Sequence, residues 1–257
     1  MYARRTLVAI YGTIPFLMIH YFKQLTSSND EAARPCYHEG DIIWAEQQSA
    51  GRGQRGHTWL SDEALNLTFS AVLEPAFLPA QEQFSLLQVV ALAIVDALKE
   101  YDIEARIKWT NDIYVGNKKL VGILMEHKLQ GSQIGRTIAG IGININQTEF
   151  DPSLPNPTSM RLITGKLHDR EQVLKSITHH LMHRYQMLQQ GEQAALHSDY
   201  LGKLYKLGEE HTFALPDGSR FQGTIMGVEP QGALKITTPE GAEHKFLFKE
   251  VEFVLKN

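Results

Sequence analysis

KWTNDIYVGNKKLVGILME, residues 108–126, reads as two short extended runs around a turn. Ile113, Tyr114 and Val115 are β-branched or aromatic, Gly116-Asn117 suits a two-residue loop, and residues 120–125 resume an apolar run. The stretch therefore predicts a β-hairpin. Alternation along its second strand puts Lys118 and Lys119 on opposite faces, so one lysine can face a ligand while its neighbour faces solvent. Outward from the hairpin, residues 134–146 read as a buried strand, 67–73 as a β-rich run bounded by Pro75, and 41–46 as a strand feeding a glycine-rich loop. Between residues 79 and 101, Phe84, Leu87, Ala91, Ile94 and Leu98 recur at three- and four-residue steps, which predicts an amphipathic helix. The same period over 170–190 carries Val173, Ile177, Leu181 and Leu188, with Gly191 placed as a C-cap, and residues 29–34 suggest a short helix. After about Leu207 the texture changes to short strands at 211–215, 220–228, 234–238 and 245–254, separated by glycine-containing turns. That spacing predicts a small SH3-like β-barrel. The fold class expected is α+β, with a large domain over 1–206, a mixed sheet packed by helices, and a small C-terminal barrel over 207–257.

A chain of 257 residues with 43% hydrophobic content can bury one sizeable core and a small satellite. Its net charge of −4 gives no global basic footprint, so nucleic-acid binding is not expected. The single Cys36 excludes an intramolecular disulfide and suits a reducing cytoplasm. Arg4-Arg5 ahead of the apolar residues 7–19 imitates a leader, but Gly12 and Pro15 interrupt the run and it is too short to span a bilayer. No membrane partner is expected. His179, His180 and His183 read as a solvated helix face rather than a metal site, because no carboxylate or cysteine stands at supporting spacing. No metal ligands are assigned.

Three further blocks carry chemistry. GRGQRGHTW, residues 51–59, combines glycines, which bring backbone N–H groups close to an anion, with arginines that supply planar, permanently charged donors. AGIGININ, residues 139–146, lacks the third glycine of a dinucleotide fingerprint, and its glycines permit close backbone approach instead. Ser27-Ser28-Asn29 ahead of the short helix is an N-cap signature and equally a set of neutral hydrogen-bonding groups.

In order and spacing these blocks resemble the biotin protein ligase family, whose patterns read approximately GRGRRGRxW, KWPNDIYxxxKKLxGILxE and GIGIN, preceded by LDSTN. The resemblance covers most of the chain from about residue 20 to 150, with 26 residues ahead of Ser27, fewer than a winged helix-turn-helix needs. It therefore resembles the single-function form without a DNA-binding domain. The resemblance implies that biotin is activated by ATP to biotinyl-5′-AMP with loss of pyrophosphate. The biotinyl group then passes to a lysine of a biotin carboxyl carrier protein in the cytoplasm. It implies magnesium carried with ATP, a C-terminal domain of SH3 type, and a homodimer through the large-domain sheet edge as an option.

By the same resemblance, Arg52, Lys119, Asp112 and Lys108 are the catalytic candidates. Arg52 and Lys119 would bring carboxylate and phosphate together, Lys108 would hold ATP phosphates or order the loop, and Asp112 would hold or deprotonate the acceptor lysine. Biotin falls to Ser27, Ser28, Asn29, Gln48, Arg52, Gly53, Gln54, Lys119, Gly122 and Gly140. The nucleotide falls to Arg52, Arg55, Trp59, Lys108, Asn111 and Asn144. Trp109 is expected in the core, and an Asx turn at the hairpin entrance competes with the role of Asn111-Asp112. Three departures stand out: Gln54 replaces an arginine, Thr110 a proline, and Lys249-Glu250 a Gly-Glu pair. The alternatives are a lipoate-attaching ligase of the same superfamily and a non-catalytic biotin sensor. The loop with KWxND and GIGIN disfavours the first; Arg52 and Lys119 disfavour the second.

Overall fold

The computed structural model describes residues 4–8, 17–54, 59 and 64–254. Strands β1 (Arg4–Val8) and β2 (Leu17–Leu25) precede helix α1 (Ser28–Ala32), β3 (Ile42–Gln48) and β4 (Leu67–Leu73). A 3-10 turn, Ala80–Glu82, enters α2 (Phe84–Lys99), followed by β5 (Arg106–Lys108), β6 (Asp112–Val115), β7 (Lys118–Gln130) and β8 (Gln133–Ile143). Helices α3 (Met160–Thr164), α4 (Arg170–Gln189) and α5 (Gln193–Gly202) come next. The chain ends in β9 (Glu210–Ala214), β10 (Arg220–Val228), β11 (Leu234–Thr237), β12 (Glu243–Phe246) and β13 (Glu252–Phe253).

The first eight strands form one sheet in the order β1-β2-β3-β4-β8-β7-β6-β5. Among the described strands of this sheet only β2 and β3 pair in parallel, because α1 carries the chain across between them. The other five strands form an antiparallel sheet, β12-β11-β10-β9-β13. This is the α+β architecture expected, a mixed sheet packed by helices with a small C-terminal β-module.

Period-2 alternation sorts the large sheet into two faces. Phe69, Ala71 and Leu73 of β4, with Ile123 and Ile141, join the main core with α2, while Val72, Ile43 and Ile138 form a smaller core with Ala32 of α1. The face toward α1 also carries polar residues and glycines, and there a cavity opens. Two elements differ from expectation. Helix α2 is buried all round rather than along one stripe, because α4 and α5 cover the side away from the sheet. With the 3-10 turn ahead of it, Ala80–Lys99 is apolar and long enough to cross a membrane by composition alone, and the fold buries most of it. The strand expected over 245–254 is split into β12 and β13 by a turn.

Lys249 makes that turn with φ at +77°. The left-handed region costs a residue with a Cβ roughly 1–2 kcal/mol, which is why glycine suits such a position. The Glu250 carboxylate accepts from the Leu247 amide at 2.6 Å and helps to hold the turn. Lys249→Gly is expected to stabilise the chain by about 1 kcal/mol in urea unfolding. An unchanged or lower midpoint would mean that contacts of the lysine outweigh the strain.

Candidate functional site

Cross-strand register builds the cavity floor. Thr68 of β4 stands opposite Gly142 of β8, Gly142 opposite Gly122 of β7, Gly122 opposite Asp112 of β6, and Asp112 opposite Lys108 of β5. Two residues along, Ser70 faces Gly140 and Gly140 faces Leu124. These two rungs line a cavity of about 300 Å³, the low end of a small-molecule site. Glycine is required on them. A Cβ at Gly142 would enter the Trp59 indole, and one at Gly140 would lie 2.9 Å from Asn29 Cγ.

A bulge positions Lys119. Tyr114 pairs with Lys119 and Ile113 with Val121, so Leu120 is the extra residue. Without it, Lys119 and Gly122, three apart, would face opposite sides of β7. With it, the Lys119 side chain runs over Gly122, its Cε 3.5 Å from where a Cβ would be. The 156–158 segment grips the bulge: the Lys119 amide donates to Asn156 O at 2.8 Å, and the Thr158 amide donates to Lys119 O at 2.9 Å. Lys119 Nζ lies 2.7 Å from Asp112 Oδ1, and Lys118 is exposed outside the cavity. The two lysines thus face apart as predicted, although by bulge rather than by alternation alone.

At the other end, Ser28, Asn29 and Gln48 form a polar corner. Ser70 Oγ lies 2.7 Å from Ser28 Oγ and 2.6 Å from Asn29 Oδ1, Asn29 Nδ2 donates to Glu126 at 2.6 Å, and the Ser28 amide donates to Gln48 Oε1 at 2.6 Å. Ser27 occupies the N-cap position of α1, yet its hydroxyl makes no capping hydrogen bond. Arg52 closes the rim, with Nη2 2.6 Å from Asp30 Oδ1 and 3.2 Å from Glu126 Oε2. Both pairs are solvent-exposed, so the guanidinium is weakly held and can be drawn away by a better anion.

Gly53, Gln54, Trp59, Lys108 and Asn111 also line the cavity. The Asn111 side-chain Nδ2 donates to Ile123 O at 2.6 Å and so braces the hairpin entrance, a cross-strand bond rather than an Asx turn. Trp109 is buried, and its indole N–H donates to Gly232 O of the small module at 2.9 Å. Asn144 is placed differently from expectation. It is buried off the cavity wall, its amide donating to Thr158 O at 2.9 Å, so it supports the segment that grips Lys119. Arg55 lies outside the described residues. His180 Nε2 stands 2.8 Å from Glu100 Oε1, a carboxylate that sequence spacing did not reveal.

Several residues in or beside the cavity escaped the sequence reading. Glu126 follows Gly122 and Leu124 at two-residue steps, so alternation alone could have placed it on the site face. Thr68 and Ser70 alternate likewise on β4. Val251, Glu252 and Phe253 come from the small module, and no local pattern signals their approach.

A glycine-floored cavity with a neutral polar corner, Arg52 at the rim beside that corner and Lys119 over the floor at the far end can take a ligand that carries both neutral polar groups and an anion. The sequence pattern of the biotin/lipoate A/B protein ligase family matches residues 21–144. The chain is 32% identical over 208 residues to the bifunctional ligase/repressor BirA of Bacillus subtilis, covering 79% of this chain and 63% of that protein. It thus spans less than two thirds of that relative. It is 30% identical over 229 residues to the biotin--[acetyl-CoA-carboxylase] ligase of Paracoccus denitrificans, covering 84% of this chain and 93% of the relative. The structure superposes on the biotin protein ligase from Aquifex aeolicus in complex with biotin and ATP with a TM-score of 0.80 and 28% identity, covering 93% and 99% of the two chains. The chain belongs to the biotin/lipoate A/B protein ligase family. The Paracoccus denitrificans relative and the Aquifex aeolicus structure are both named as biotin ligases.

Proposed function

We propose that this protein is a biotin protein ligase. One carboxylate oxygen of biotin attacks the α-phosphorus of ATP, the bond to the β-phosphate oxygen breaks, and pyrophosphate leaves with biotinyl-5′-AMP remaining bound. The ε-amine of a carrier lysine then attacks the acyl carbon, AMP departs and the amine proton is released. The observation that carries this reading is that Arg52 and Lys119 line one cavity together with the neutral polar corner of Ser28, Asn29 and Gln48. Two unit anions at about 4 Å repel by about 4 kcal/mol at an effective dielectric near 20, so the first step needs cations at that junction. Lys119, riding on Asp112, and Arg52, held by Asp30 and Glu126, can exchange protein carboxylates for those of substrate.

Ser27, Ser28, Asn29 and Gln48 would receive the ureido ring, whose carbonyl and two N–H groups match a hydroxyl and amide corner. A dithiolane ring offers none of these and would leave that corner unpaired, which disfavours lipoate. Asp112 would hold the incoming amine once Lys119 turns to the acyl phosphate. Asn144 acts through the 156–158 segment. Among the described residues no group of three His, Cys, Asp or Glu side chains stands together to hold a metal. Magnesium would enter on ATP, where it neutralises departing pyrophosphate. We place the domain boundary between residues 206 and 207, the partner in a biotin carboxyl carrier domain, and the reaction in the cytoplasm.

Pyrophosphate release with biotin and ATP tests the proposal, and turnover with lipoate in place of biotin would reverse it. Gln54 bears on how long the adenylate stays. Gln54→Arg restores a cation to the cavity rim and is expected to slow biotinyl-5′-AMP dissociation about fivefold in a filter-retention chase. An unchanged rate would show that position 54 does not meet the phosphate.

A further inference from the structure

Glu126 of β7 is not one of the residues lining the cavity, yet the polar corner is tied to it. Asn29 lies against the floor, its Nδ2 3.0 Å from where a Gly140 Cβ would be. That nitrogen donates to Glu126 Oε2 at 2.6 Å, and Asn29 Oδ1 accepts from Ser70 Oγ at 2.6 Å. Ser70 Oγ lies 2.7 Å from Ser28 Oγ, and the Ser28 backbone amide donates to Gln48 Oε1 at 2.6 Å. Ser28, Asn29 and Ser70 are all buried, so these bonds are made inside the protein rather than with water. A hydroxyl carries one proton, while a carboxylate and an amide oxygen carry none, and this forces the direction of every bond. Glu126 only accepts, which turns the Asn29 nitrogen toward it and the Asn29 oxygen toward Ser70. Ser70 must spend its proton on that oxygen. Ser28 must then donate to Ser70, and toward the cavity it offers lone pairs alone. Gln48 Oε1 is occupied by the Ser28 amide, which leaves Nε2 as the donating end of that side chain.

We propose that Glu126 is a positioning residue that sets the hydrogen-bond polarity of the corner, an acceptor at Ser28 and donors at Asn29 and Gln48, and thereby selects a ureido head. This rests on the ligase reading above. A ureido ring presents the complementary set, an N–H for Ser28 and a carbonyl for the amide donors. Without an acceptor at position 126, Asn29 can turn over and donate to Ser70. Ser70 would then donate to Ser28, and Ser28 to the ligand, so the whole chain of bonds reverses. A buried corner of the wrong polarity leaves ligand groups unpaired, which is the costly kind of mismatch. Glu126 Oε2 also accepts from Arg52 Nη2 at 3.2 Å, but that guanidinium keeps its shorter bond to Asp30 when Glu126 is replaced.

Calorimetry on the full chain with biotin and with 2-iminobiotin, in which a nitrogen replaces the ureido oxygen, tests this alongside pyrophosphate release. Glu126→Met keeps the bulk of a half-exposed side chain and removes the acceptor. It is expected to raise the Kd and KM for biotin about tenfold, with kcat changed less than twofold, and to narrow the preference for biotin over 2-iminobiotin about tenfold. Glu126→Gln loses the charge but can still accept from Asn29, and should stay within threefold of wild type in both respects. In a Ser70→Ala background, where the relay to Ser28 is already cut, Glu126→Met should have less than a threefold further effect. Equal losses in the Met and Gln variants would assign the effect to charge beside Arg52 and overturn the proposal. Parallel losses of both ligands, equal losses in both backgrounds, or biotin affinity untouched by Glu126→Met would overturn it as well. A wild-type chain that shows this Glu126-dependent preference yet releases no pyrophosphate with biotin and ATP would sink the ligase reading alone.

Discussion

Lys119→Ala should lower biotin-dependent pyrophosphate release about a thousandfold, while Lys118→Ala stays within twofold of wild type. The size follows from the about 4 kcal/mol of anion repulsion that a cation must offset at the reacting junction, since each 1.4 kcal/mol is tenfold in rate. The contrast between neighbours follows from the bulge at Leu120, which turns Lys119 over the glycine floor and leaves Lys118 in solvent. Arg52→Ala should cost a comparable factor, because its guanidinium is the second cation lining the same cavity. Single-turnover assays with saturating ATP would check all three. Equal losses for the two lysines would undo the assignment of faces, and a Lys119→Ala variant at full rate would remove the cation argument itself.

Gly140→Ala is the second large effect, and it acts on binding. The new Cβ would lie 2.9 Å from Asn29 Cγ and closer still to Oδ1. Asn29 cannot yield cheaply, being buried and held at both ends of its amide, by Ser70 and by Glu126. Moving it breaks two hydrogen bonds, one of them to a charged group, and disturbs the corner assigned to the ureido ring. Biotin affinity by calorimetry is expected to fall about a hundredfold. Gly202→Ala is the control, since nothing lies within 4 Å of a Cβ there. Retained affinity in Gly140→Ala would take Asn29 out of the biotin site.

Local pattern carries far in this chain because its strands and long helices repeat faithfully. Strand β10 and helix α4 fall where β-propensity and the 3.6-residue period put them, each within a residue or so of the boundaries read from sequence. Local reading failed where neighbours decide. Helix α2 shows its period yet is buried on every side by partners that its own sequence cannot announce. Helices α3 and α5 are short, and little period can develop over so few residues. The N-cap expected of Ser27 does not form, although a helix does begin there.

The amino-acid sequence by itself determined the α+β class, the hairpin around Gly116, the glycine floor and most of the polar and cationic residues around it. Spacing along strands suffices for those, because alternation is a property of the chain. Tertiary structure alone decided three things. It put Lys119 over Gly122 by inserting Leu120, it drew Asn144 away from the cavity to carry Thr158, and it brought Phe253 against Lys108. Each depends on contact between segments far apart in sequence, and no local periodicity encodes such meetings.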